Sequence, residues 1–162
     1  MSSKNGGISK MKETGEVDTT DMKIVQMLER DARTSFRDIA KKLKISEGTV
    51  YNRVKRMQEA GVIKGFSVRS DPMKLGKDLV SVIGLRVLGG HLVEVEKAVA
   101  KYDEVRAVYD VTGDYDAIII ARFNTRADLN KFVKEVLAHE YVDRTATYIV
   151  LNVVKEDLRT LV

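Results

Sequence analysis

Two rhythms of apolar positions divide the chain. Between residues 18 and 61 apolar side chains recur every three or four positions, the period of helices with one buried face. TTDMKIVQMLERDA places Ile24, Met27 and Leu28 on one stripe, with Asp18 or Thr20 as cap. SFRDIAKKLK gathers Phe36, Ile39, Ala40 and Leu43 on one face, capped by Ser35 with Asp38 near the capping-box position. After a short turn holding Ile45, Ser46 caps a third helix whose inward stripe is Val50, Val54 and Met57, and Gly61 ends it. From residue 79 the rhythm changes. Strand-like runs at 79–88, 105–112, 116–124 and 144–154 alternate with helical ones at 91–104 and 125–139. The first of these helices turns Leu92, Val95, Ala98 and Val99 inward, the second Leu129, Phe132, Val133, Val136 and Leu137. Between the two regions, VIKGFSVRS (62–70) has the alternation of a strand, and SDPMKLGK carries a proline and a glycine that mark a boundary near 70–77.

These elements predict an α+β chain of two domains. A tail (1–17) precedes a winged-type helix-turn-helix unit (18–61), and a strand and linker (62–77) follow it. A ferredoxin-like βαββαβ sandwich (78–156) and a short tail (157–162) complete the chain. In such a sandwich both helices lie on one face of the sheet. Yet 116–124 is apolar on both sides: Ile118 and Ile120 point one way, Ala117, Ile119 and Ala121 the other. The uncovered face then calls for a partner, most simply the same face of a second copy.

Charge sharpens the picture for the first domain only. Net charge is +4 over 162 residues, and within 33–56 eight Lys or Arg stand against two Asp or Glu. Residues 72–162 sum to −1. A basic block on one small unit suits a polyanion, and a helix-turn-helix suits double-stranded DNA. At 100° per residue, Gly48, Asn52, Lys55, Arg56 and Glu59 lie opposite the apolar stripe of the third helix, with Tyr51 on the flank. The N-terminal residues Ser46, Glu47 and Gly48 would face base edges, and Gly48 would allow close approach of the backbone. Asn52 can read adenine, and Lys55 or Arg56 can reach guanine or phosphate. Arg37, Lys41, Lys42 and Lys44 would sit over the phosphate backbone, giving affinity and position rather than sequence.

VDTTDMKIVQMLERDARTSFRDIAKKLKISEGTVYNRVKRMQEAGVIKGFSVRSDPMKLG resembles the DNA-binding half of the leucine-responsive regulatory protein family, the Lrp/AsnC or feast/famine regulators. VTGDYDAII is similar to part of that family's amino-acid-sensing domain, and the likeness runs from about Val17 to Val154. The resemblance implies a transcriptional regulator whose dimers pair through the sensing domains and often assemble further, to octamers. It also implies an amino-acid effector bound between dimers. An amino acid needs anion donors, an ammonium acceptor and a side-chain pocket. Gly113 offers backbone N–H groups, and Asp114 or Asp116 offers an acceptor. The resemblance carries the effector site to Gly113, Asp114, Tyr115, Asp116, Thr145 and Thr147, with Tyr109 and Val111 as looser members.

Enzymatic signatures are missing. The two histidines, His91 and His139, have no metal-site spacing, GG at 89–90 is a turn before a helix, and no phosphate-cradling loop or nucleophile elbow occurs. Without cysteine there are no disulfides or thiolate metal sites, which fits the cytoplasm. No cofactor, no metal and no membrane partner are expected. Two rival readings remain at this point: a DNA-organising protein without ligand response, and a haem-precursor decarboxylase of similar architecture.

Overall fold

The computed structural model of the chain describes residues 17–157. They form two compact units, 17–68 together with Asp157, and Arg69–Glu156.

The first unit holds α1 (Thr19–Arg30), α2 (Phe36–Leu43) and α3 (Glu47–Glu59). Each starts where a short polar side chain can satisfy free N–H groups. Asp18 accepts from the Thr20 and Asp21 N–H groups, Ser35 from Asp38 and Ser46 from Thr49. Asp21 returns the bond to the Asp18 N–H at 3.1 Å, closing a capping box. Ile24, Leu28, Ile39, Ala40, Val50, Val54 and Met57 are buried together as the core. The turn between α2 and α3 is made by Lys44, at φ 57° and ψ 42°. It is the one residue other than glycine with positive φ among those described. The Ile45 N–H then closes the turn on the Ala40 carbonyl at 3.1 Å.

The strand expected over 62–70 is not formed. Within the described residues no neighbouring strand offers a ladder there, and a lone extended segment leaves its N–H and C=O groups to water. Val62, Phe66 and Val68 are exposed. A single 3-10 turn, Met73–Leu75, follows Pro72 and ends at Gly76.

The second unit is built from β1 (Leu79–Val87), α4 (Leu92–Val99), β2 (Val105–Asp110), β3 (Ala117–Phe123), α5 (Arg126–Leu137) and β4 (Val142–Ile149). The sheet order is β2-β3-β1-β4, with every neighbouring pair antiparallel. This is the arrangement of two interleaved βαβ units expected of a ferredoxin-like sandwich. On the helix side, Ile83, Leu85, Ala117, Ile119, Ala121 and Phe123 pack against Val95, Val99, Leu129, Phe132 and Val136. Leu137, expected inward, is 44% exposed because α5 ends there. β4 stops at Ile149 rather than 154 because β1 supplies no further partner. The Val150 N–H bonds the Val80 carbonyl at 2.9 Å, and beyond Leu79 the chain turns away at Gly76. Leu151 and Val154 are consequently exposed.

The opposite face of the sheet carries Ile118, Ile120 and Val82, all half-buried, and both helices of this unit pack on the other side. Ser81 lies on the helix side, fully buried, and its hydroxyl has no hydrogen-bond partner among the described residues.

Candidate nucleic-acid interface and effector turn

Burial divides α3 lengthwise. Val50, Val54 and Met57 are at most 2% exposed, while Glu47, Gly48, Tyr51, Asn52 and Lys55 are exposed. The cap Ser46 is exposed at the head of the helix and its hydroxyl meets the Thr49 hydroxyl at 2.8 Å. Beyond its chain neighbours and its own helix backbone, a Cβ on Gly48 would meet nothing among the described residues closer than the Ser46 Oγ at 3.9 Å. The chain's own packing does not require a glycine there, so the bare backbone is available to something outside. Tyr51 is steadied by an edge contact with Phe36, ring centres 6.4 Å apart. Together with Val54, Lys55, Gln58 and Phe66 these rings line a shallow cleft of about 260 Å³, which is where the unpaired segment after α3 places its aromatic side chain. Arg37, Lys41, Lys42 and Lys44 are exposed on α2 and its turn.

Arg56 is exposed as well, but it is engaged within the chain. Its guanidinium is ion-paired with Asp21, a carboxylate with no exposed surface. Arg53 binds the same carboxylate at 2.9 Å and Asp18 at 2.6 Å. The Asp18 carboxyl is held below the usual range by hydrogen bonds from the α1 backbone, chiefly the Asp21 N–H, and by the Arg53 guanidinium. Periodicity gives the angle of Arg56 around its own helix but not the acid that α1 sets beside it. Asp21 and Arg53 were missed for that reason. The available signal was an aspartate at the third position of a helix whose neighbour carries two arginines three apart.

In the second unit, the β2–β3 turn is tied to β1. The Val111 N–H bonds the Asp116 carbonyl at 3.1 Å, and the Asp116 N–H bonds the Leu85 carbonyl at 2.8 Å. The Asp116 carboxylate accepts from the Val87 N–H at 2.8 Å and lies 3.7 Å from Arg86. Arg86 also donates to the Asp114 carbonyl at 3.0 Å. Asp116 therefore anchors the turn, whereas the exposed Asp114 carboxylate has no hydrogen bond or ion pair among the described residues. Gly113 has φ 126°, a conformation that a side chain would strain.

Register decides which expected effector residues meet. Gly84 alternates with the core residues Ile83 and Leu85, so it faces the open side. A Cβ there would lie 2.7 Å from the Tyr115 ring, which means the ring rests flat on the Gly84 backbone. The Tyr115 phenol is raised above its usual range, first by a hydrogen bond with Tyr148 and then by burial. Tyr109 stands opposite Ile118 on this same side. Thr145 and Thr147 stand opposite Leu85 and Ile83, on the helix side. Within one chain the expected set is thus split between the two faces of the sheet. Arg86, Arg144 and Tyr148 join Tyr115 on the open side and were not foreseen. Arg86, the one charged side chain of its strand, was the signal for them.

His91 stacks on Tyr141 with ring centres 3.6 Å apart, and the His139 Nδ1 accepts from the Tyr141 N–H at 3.4 Å. Among the described residues no group of three or more His, Cys, Asp or Glu could hold a metal ion. No helix among them is long and apolar enough to cross a membrane.

Residues 17–64 match the winged helix-turn-helix DNA-binding family, and residues 81–160 the Lrp/AsnC ligand-binding domain. An HTH-type transcriptional regulator of Pyrococcus furiosus is 46% identical over 144 residues, covering 89% of this chain and 97% of its own. The HTH-type transcriptional regulator FL11 of the same organism is 38% identical, covering 88% of this chain and 94% of its own. The chain belongs to the Lrp/AsnC family. Its fold agrees with Escherichia coli AsnC at a TM-score of 0.79 and 26% identity, over 88% of this chain and 97% of that one. A Neisseria meningitidis transcriptional regulator in complex with L-methionine shares the fold at a TM-score of 0.78 and 24% identity, over 88% and 95% of the two chains.

Membership of the Lrp/AsnC family makes the protein a transcriptional regulator with a DNA-binding and a ligand-binding domain, not an enzyme. The decarboxylase reading is thereby set aside.

Proposed function

We propose that this Lrp/AsnC regulator reads specific double-stranded DNA sites through α3, and that a small amino acid held near the 113–116 turn alters its assembly and DNA affinity. The observation that carries the first half is the exposed face of α3. Gly48, Asn52 and Lys55 lie opposite a fully buried stripe, and the bare backbone at Gly48 has no internal purpose. Asn52 is the base reader, and Arg37, Lys41, Lys42 and Lys44 grip phosphates on either side. The effector half rests on the chemistry of the turn. The exposed Asp114 carboxylate suits an ammonium, and the Arg86 guanidinium, which donates to the Asp114 main-chain carbonyl, suits a carboxylate. A fold relative crystallised with L-methionine supports an amino acid as the ligand class.

The dimer is the working unit, paired through the open sheet face. Thr145 and Thr147, directed away from Tyr115 within one chain, then serve the effector site only through contacts between chains. One reading helix per subunit on a two-fold dimer predicts near-palindromic sites whose half-sites lie one helical turn, or a multiple of it, apart. Selection of bound duplexes from a random pool, followed by footprinting of the winners, tests this. Enriched palindromes with helical-turn protection support the reading. A pool that emerges without any enriched sequence overturns it in favour of a DNA-organising role.

A further inference from the structure

The single buried carboxylate of Asp21 collects two cations, Arg53 and Arg56. A carboxylate without exposed surface needs a counter-charge and hydrogen bonds. Arg53 at 2.9 Å and the Asp18 N–H at 3.1 Å already supply both. Arg56 is nevertheless drawn onto the same group, although its side chain is 47% exposed. Arg53 and Arg56 are three residues apart, on the edge of α3 that meets α1. Asn52 and Lys55 face outward, and the Lys55 ammonium lies a loose 3.9 Å from Glu59. Two of the three cations on α3 are thus turned towards the protein. Released, an arginine at this position would be a phosphate binder indifferent to sequence.

We propose that Asp21 sets the specificity of DNA reading: it holds Arg56, together with Arg53, off the phosphate backbone, so that α3 meets DNA with fewer sequence-blind contacts. This rests on the DNA-reading role of α3 proposed above and concerns how discriminating that reading is. Asp21 touches no DNA itself. It acts through the arginines, as a positioning residue.

The test is a cycle of full-length chains: wild type, Asp21→Asn, Arg56→Gln and the double variant. Each is titrated with random-sequence duplex and with a selected site across a range of salt. Asparagine keeps an acceptor for the Asp18 N–H, and Arg53 keeps Asp18, so the fold is expected to be retained. Asp21→Asn is expected to bind random duplex about tenfold more tightly near about 0.1 M salt, with a salt slope steeper by about one. The ratio of specific to random affinity falls accordingly. Arg56→Gln leaves the slope unchanged in the wild-type background and removes the added increment in the Asp21→Asn background. An equal drop in slope in both backgrounds would overturn the proposal, because Arg56 would already be on DNA. So would an Asp21→Asn chain that binds both duplexes more weakly, since Asp21 would then be buttressing a contact. Should Asp21→Asn not fold, Arg56→Gln alone decides: an unchanged slope supports the proposal and a slope lower by about one overturns it. A wild type that binds random duplex but prefers no site marks the failure of the sequence-reading role instead, and the inference falls with it.

Discussion

Asn52 and Lys41 are both exposed and polar, yet they are expected to fail differently when truncated. Asn52→Ala removes a bidentate partner for one base, so it costs about 1–3 kcal/mol on the cognate site and little on random duplex. Lys41→Ala removes a phosphate contact, weakens all duplexes alike and lowers the salt slope by about one. Identical behaviour on both kinds of DNA would remove the distinction between them. Gly48 offers a sharper separation of stability from function. Its Cβ position is open, so Gly48→Ala relieves backbone entropy and stabilises the helix by about 0.5–1 kcal/mol. The same methyl stands between backbone and groove and lowers DNA affinity. Thermal melts and titrations of the one variant should therefore move in opposite directions. At this scale the sequence was most and least informative on the same helix. The stripe of Val50, Val54 and Met57 is legible because burial repeats with the helical period. The role of Arg56 is not, because it depends on Asp21, thirty-five positions earlier.

Helices were easier to place than strands for a physical reason. A helix satisfies its backbone internally, and Ser35, Ser46 and Thr125 announce where each begins. A strand exists only beside another strand. The alternation in 62–70 is real, but no ladder is available among the described residues, so the segment stays extended and unpaired. β4 is cut short at Ile149 by the same rule. Register is also what splits the expected effector set, because Thr145 and Thr147 alternate out of phase with the residues beneath Tyr115. No spacing within a single strand reveals which face its neighbour offers. One feature of β1 remains costly to the element itself. The Ser81 hydroxyl is buried without a partner among the described residues. A buried unsatisfied hydroxyl costs about 1–3 kcal/mol, so Ser81→Ala is expected to leave stability unchanged or raise it by about 1 kcal/mol. Chemical denaturation checks this, and a clear loss would mean the hydroxyl has a partner in the assembled protein.

For the whole molecule, the open sheet face links fold to function. Ile118, Ile120 and Val82 are only half-buried, and Tyr109 and Tyr148 are exposed on the same side. Apolar surface left wet costs about 25 cal/mol per Å², which favours covering it with a second copy. Light scattering at micromolar concentration should find no monomer. Ile120→Lys, which puts a charge into that face, should shift the protein to monomers with α3 intact. Such a monomer would lose affinity for a palindromic site far more than for random duplex. A wild type that is already monomeric would remove both the dimer and the expected symmetry of the site.

We propose the coupling of a DNA reader to an amino-acid sensor in one molecule. Its most direct test is a titration at fixed salt of labelled DNA from upstream of the protein's own gene. It is run against random competitor, with and without a pool of the twenty amino acids. Such coupling predicts binding that exceeds the competitor and shifts with the pool, a shift that Asp114→Ala abolishes while DNA binding survives. Specific binding indifferent to every amino acid would contradict it.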